Sequence, residues 1–180
     1  MRALLSRLAR STSGVALVEF AIAMPVLFVL YIMSFVISDE ISCNRKVTVT
    51  ARTVADLTSR YASLTQSGLQ TLMAASKQVM SPYTGGTTTV RVTELLVTST
   101  TTATVVWSQT QTGSTTTQGL ANGSVVTLPT SLAATGTYLI MGEVTYIYQP
   151  VIGLGPTAAM TLADKSYMSP RISNAIPLSS

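Results

Sequence analysis

From Val15 to Ile37 the chain reads VALVEFAIAMPVLFVLYIMSFVI, and Glu19 is its one charge. At 1.5 Å rise per residue, roughly 20 consecutive apolar residues cross a bilayer core of about 30 Å. The run therefore predicts a membrane-spanning helix over residues 15–38. The competing reading is a cleaved secretory signal, whose apolar region is usually only about 7–15 residues long. Length favours the span. Pro25 lacks a backbone donor, which predicts a weak point or kink in this helix. Membrane helices tolerate such a residue where neighbouring groups satisfy the freed backbone.

Beyond Ser38 the pattern changes from continuous to striped. Val47, Ala51, Val54, Leu57, Tyr61 and Leu64 recur at steps of three or four, which predicts an amphipathic helix. Its apolar stripe faces either the domain's own sheet or sister subunits. Gln66-Ser67-Gly68 is expected to break it. Leu69, Leu72, Met73, Val79 and Met80 then form a second short stripe, which Pro82 ends. Residues 39–82 thus read as an amphipathic helical region.

After Gly85-Gly86 threonine and valine dominate, a composition that suits strands. TTTVRVTELLVT and TTATVVWSQT each predict one strand, with Trp107 as a sheet-packing residue. Gln111 to Gly123 reads as a long loop or hairpin end. GSVVTLP is a further short strand. In TYLIMGEVTYIYQP, Tyr138, Ile140, Val144, Tyr146 and Tyr148 alternate onto one face with Gly142 between them. A last strand or turn falls over Met160 to Met168. The expected class is α+β: a long N-terminal transmembrane helix, amphipathic helices, then a small antiparallel sheet with a C-terminal tail over residues 83–180.

Charge sharpens the membrane reading. Charged residues make up 10% of the chain, and the mean hydropathy is positive. Of the net charge of +4, Arg2, Arg7 and Arg10 contribute three units ahead of the apolar run. Residues 1–14 form a basic leader, the flank expected on the cytoplasmic side of a membrane helix. That puts the domain after the helix on the opposite side. No cluster of Lys and Arg marks a folded face, so no nucleic-acid partner is expected.

The chain has no histidine and one cysteine, Cys43. No intramolecular disulfide can form, and no metal site or general base of the usual kind is signalled. No phosphate-binding loop and no framed nucleophile appears. Neither an enzyme nor a cofactor is expected. Asp39 and Glu40 are adjacent, so on a helix they point apart and read as a solvated face. Cys43 is either an inert thiol or an intermolecular crosslink that would give a homodimer.

Glu19 has two readings. It sits within about two turns of the cytoplasmic boundary, so its carboxylate can reach towards water. It can equally await a partner cation, since a lone charge in lipid costs several kcal/mol. RLARSTSGVALVEF, residues 7–20, joins a basic leader, Gly14, an apolar helix and an acid five residues on. This junction resembles the processing site of type IV prepilins. GVALVEFAIAMPVLFVLY is closer still to the TadE-like family, minor pseudopilins of the tight-adherence system that assembles Flp pili. Gly14, Glu19, Phe20, Met24 and Pro25 carry the match, followed by ARTVADLTSRY. EVTYIYQP and Ser169-Pro170-Arg171 echo the family's C-terminal pattern.

The resemblance implies a pilin-like fold and cutting by a prepilin peptidase between Gly14 and Val15. It implies that the Glu19 carboxylate meets the new amino group of a neighbouring subunit and sets register, because an unpaired buried charge is costly. Phe20 would share that contact. The implied partners are the peptidase, other Tad pseudopilins and the Flp pilin, the inner-membrane Tad assembly platform, and membrane lipid. The implied location is the bacterial inner membrane with a periplasmic domain, or the extracellular pilus after assembly. The alternative is a membrane-anchored envelope scaffold or adhesin that is never cut, in which Glu19 is incidental.

Overall fold

The structure is a computed structural model and describes residues 14–132, 134–150 and 159–179. Arg2, Arg7 and Arg10 lie outside the described residues. The chain divides into two compact units, Met1–Asp39 and Glu40–Ser180. Helix α1 covers Val15–Ser59 and contains Pro25. It is long and apolar enough to cross a membrane. The helix continues through Pro25 without interruption.

Within the second unit, α1 ends at Ser59, and a loop leads to the two-residue strand β1 (Leu64–Thr65). Helix α2 (Gln66–Lys77) follows at once. The expectation that Gln66-Ser67-Gly68 breaks the helical pattern is corrected here. These residues are the first turn of α2, because the Thr65 hydroxyl accepts from Gly68 N and caps it. The true break lies earlier. Tyr61 is exposed in the loop and Leu64 is in a strand, so neither extends the first helical stripe. A 3-10 turn, Gln78–Met80, ends the helical region.

Six strands then form one antiparallel sheet: β2 (Thr88–Val97), β3 (Thr102–Thr112), β4 (Thr115–Gln118), β5 (Val125–Thr127), β6 (Tyr138–Tyr148) and β7 (Met160–Met168). The order is β4-β3-β2-β6-β7, and β5 pairs with β3. The central strands β2 and β6 align Val90 with Val144, Val92 with Gly142 and Glu94 with Ile140. The stretch after Gln111, read from sequence as a loop or hairpin end, contains β4. Thr112 pairs with Thr115 across Gly113-Ser114, and Gly113 takes φ 58°, a turn conformation that glycine adopts without strain. The tail returns as β8 (Leu178–Ser179), parallel to β1.

The core has two parts because a sheet strand presents alternate residues to opposite faces. On one face, Val90, Val92, Ile140 and Val144 pack with Val47, Ala51 and Val54 of α1 and Leu69 and Met73 of α2. Of the two readings of the first stripe, this is the one that faces the domain's own sheet. Gly142 makes the contact close: a Cβ there would lie 2.7 Å from Ala51 O and 2.8 Å from Val54 Cγ1. On the other face, Leu95, Val97, Val105, Leu139 and Met141 form a second cluster with Leu128. Trp107 belongs to the helix-side core, as expected of a sheet-packing residue.

Candidate functional site

The residues singled out by sequence lie at the head of α1. Gly14 precedes the helix and Val15 is its first residue. Among the described residues, a Cβ added at Gly14 meets nothing within 4 Å. No packing within the described chain therefore demands glycine at this position.

Val15 and Glu19 are four residues apart on a helix, so they share a face, separated by about 6 Å of rise. Glu19, Ile22, Ala23, Val26 and Leu27 line one shallow depression along that face. Their spacing of three and four places them in a single stripe, and Ala23 is the small residue that hollows it. Glu19 has no hydrogen bond or ion pair among the described residues. The large apolar side chains around it are exposed, with Phe20 at 64% and Ile22 at 71%. An apolar surface of this length is what lipid or a partner helix covers.

The second unit holds a buried acidic group that sequence reasoning missed. Glu94 lies on β2 with the same parity as Val90 and Val92, and it is only 1% exposed. Its Oε1 accepts a hydrogen bond from Ile176 N at 2.5 Å. The Trp107 indole N–H donates to Ile176 O at 2.8 Å. Two strand side chains thus hold both backbone groups of one tail residue. Burial pushes the Glu94 carboxyl above its ordinary range, while the Ile176 amide and, to a smaller degree, the Trp107 indole pull it back. The available signal was parity: a carboxylate falls on the apolar side of VRVTELLV, a position that requires a hydrogen-bond partner.

The rest of the tail is fastened beside it. Leu64 N donates to Pro177 O at 3.0 Å, and Arg171 N donates to Ser59 O at 2.9 Å. Arg171 also pairs with Asp56 of α1, which in turn holds Arg60 at 2.5 Å. The Pro170-Arg171 ending noted in the sequence therefore closes against the end of α1. On the opposite face of the sheet, Glu143 binds Arg91 at 2.8 Å and Lys165 at 3.3 Å.

Cys43 is buried in the helix-side core. In this conformation its thiol is not presented for the intermolecular crosslink considered from sequence. Among the described residues, no group of three or more Cys, Asp or Glu side chains is placed to hold a metal ion. Compared with protein-family models, curated proteins and solved structures, the chain matches none. The molecule is defined by its own features: a long apolar N-terminal helix followed by an α+β domain with an antiparallel sheet.

Proposed function

We propose that this chain is a minor pseudopilin of a tight-adherence apparatus. A prepilin peptidase cuts it between Gly14 and Val15, and it contributes to assembly or initiation of an Flp-type adhesive pilus. The observation that carries the reading is the junction at the head of α1. A basic leader meets Gly14, an apolar helix starts at Val15, and Glu19 and Phe20 follow one turn later.

Physical reasoning supports the arrangement. Before cutting, the leader arginines hold the N-terminus on the cytoplasmic face. Cutting removes them and leaves an α-amino group at the head of an apolar rod. In a bundle of such rods, the Glu19 carboxylate of one subunit pairs with the amino group of the next. Either charge alone in a dry interface is costly, so only the matching axial offset is stable. The exposed apolar surface of α1 supplies the packing area. The domain then sits in the periplasm, or outside the cell after assembly.

The test is co-expression with and without a prepilin peptidase. The wild-type chain should shorten only when the peptidase is present, and Gly14→Val should stay full length. A wild-type chain that remains full length with an active peptidase would contradict the reading and favour an uncut envelope scaffold or adhesin.

A further inference from the structure

A cleft of about 530 Å³ opens on the helix side of the sheet, between the N-terminal half of α2 and the β3–β4 hairpin. Gln66 and Gln70 line it from the helix, Gln109 from the floor, and Thr116 and Gln118 from the edge strand. Trp107 and Leu178 are its apolar lining residues. The flanks are tied beyond the cleft, where Lys77 Nζ at the end of α2 donates to Gly113 O in the hairpin turn at 2.6 Å. The cleft is thus walled by helix and strand residues.

We infer that this cleft binds an uncharged glycan. Its volume falls in the roughly 300–1,000 Å³ range of small-molecule sites, but its lining departs from their mostly apolar character. None of its ten lining residues is charged. An anionic or cationic ligand would find no counter-charge there. Carboxamides and hydroxyls each both donate and accept hydrogen bonds, and so does every hydroxyl of a sugar. Four glutamines facing one opening can form bidentate contacts with neighbouring hydroxyls. Trp107 adds only a small apolar contact, being 7% exposed with its N–H spent on Ile176 O.

A peptide is the less suited occupant. Only Trp107 and Leu178 of its lining residues are apolar, so the cleft offers no series of apolar pockets for the alternating side chains of a peptide. The inference does not depend on cutting at Gly14, so the two readings fail separately.

Trp107 is the sole tryptophan of the chain, so its fluorescence reports on the cleft. The full-length protein in a non-glycosidic detergent is titrated with chitotetraose, an amino-sugar chain of cell-wall type, and with cellotetraose, a neutral hexose chain. Oligogalacturonate and an uncharged tetrapeptide are the comparison ligands, and calorimetry runs beside fluorescence. The expected result is saturable binding of one neutral glycan, weakened about tenfold or more (~1.4 kcal/mol) by combined Gln66→Ala and Gln118→Ala. Both residues are exposed, and circular dichroism checks the fold. Gln70→Glu, which puts a charge in the cleft, is the second variant and should weaken binding similarly. The neutral glycan that binds identifies the source. No saturation by either glycan at millimolar concentration overturns the inference. So does equal binding in the variants, or saturation by the charged oligomer or the peptide alone.

Discussion

Glu94 Oε1 accepts a hydrogen bond from Ile176 N at 2.5 Å, joining the central strand β2 to a residue 82 positions later. The bond closes the domain, because Ile176 is fully buried and leads directly into β8. Removing the carboxylate should leave a buried N–H without its acceptor. Glu94→Ala is expected to destabilise the domain by about 1–3 kcal/mol. Denaturant unfolding of the purified protein measures it.

The same carboxylate gives a signed pH prediction. Its folded pKa is raised, first by burial, so the native state holds the proton more tightly than the unfolded chain. Its stabilising contribution is full below the ordinary carboxylate pKa and is lost as pH rises through the raised value. Glu94→Gln keeps an oxygen for Ile176 N but does not titrate. The stability difference between variant and wild type should therefore shift in the variant's favour as pH rises through that window. A pH-independent difference would contradict the assignment.

Trp107 and Arg171 fasten the same tail with unequal strength. Trp107 is 7% exposed and its N–H satisfies Ile176 O, so Trp107→Phe should cost about 1–3 kcal/mol. The Arg171 side chain is 53% exposed in its pair with Asp56, and an exposed pair contributes at most about 1 kcal/mol. Arg171→Ala should be the milder change. Limited proteolysis of the tail would rank the two.

Gly142 is where α1 touches the sheet. A methyl there would meet Ala51 O at 2.7 Å, a backbone atom that cannot turn aside. Gly142→Ala is expected to destabilise by about 1–3 kcal/mol through overpacking, despite the better strand propensity of alanine. Thermal unfolding measures the loss, and an unchanged midpoint would show that helix and sheet are less tightly joined.

Much of this architecture was legible in the chain. The apolar run that starts α1, the Thr- and Val-rich composition of β2 and β3 and the alternation in β6 are local signals, and these strands lie close to the expected bounds, while α1 continues past the apolar run to Ser59. What escaped was mostly non-local or ambiguous. Gln66-Ser67-Gly68 looks like a break because glycine weakens a helix, yet Thr65 makes it a capped start. Gly142 reads as a flaw in a strand until α1 lies across it. The return of Leu178 to Leu64 spans the whole domain, and two-residue strands have no periodicity to detect. At the head of α1 the sequence says more than the fold does, because the partners expected at Glu19 are other molecules.

Glu19 gives the assembly prediction. On the proposed function, Glu19→Gln should leave cutting after Gly14 unchanged while losing the proposed charge pair with a neighbouring amino group. Co-purification with pseudopilins of the apparatus should then fall sharply while membrane insertion persists. Equal co-purification would remove register-setting from the roles of this residue.

The most direct measurement is the intact mass of the protein purified from membranes of cells that contain an active prepilin peptidase. The expected mass is that of a chain beginning at Val15, shorter than the full sequence by the leader through Gly14. A mass that still includes Arg2, Arg7 and Arg10 would contradict it.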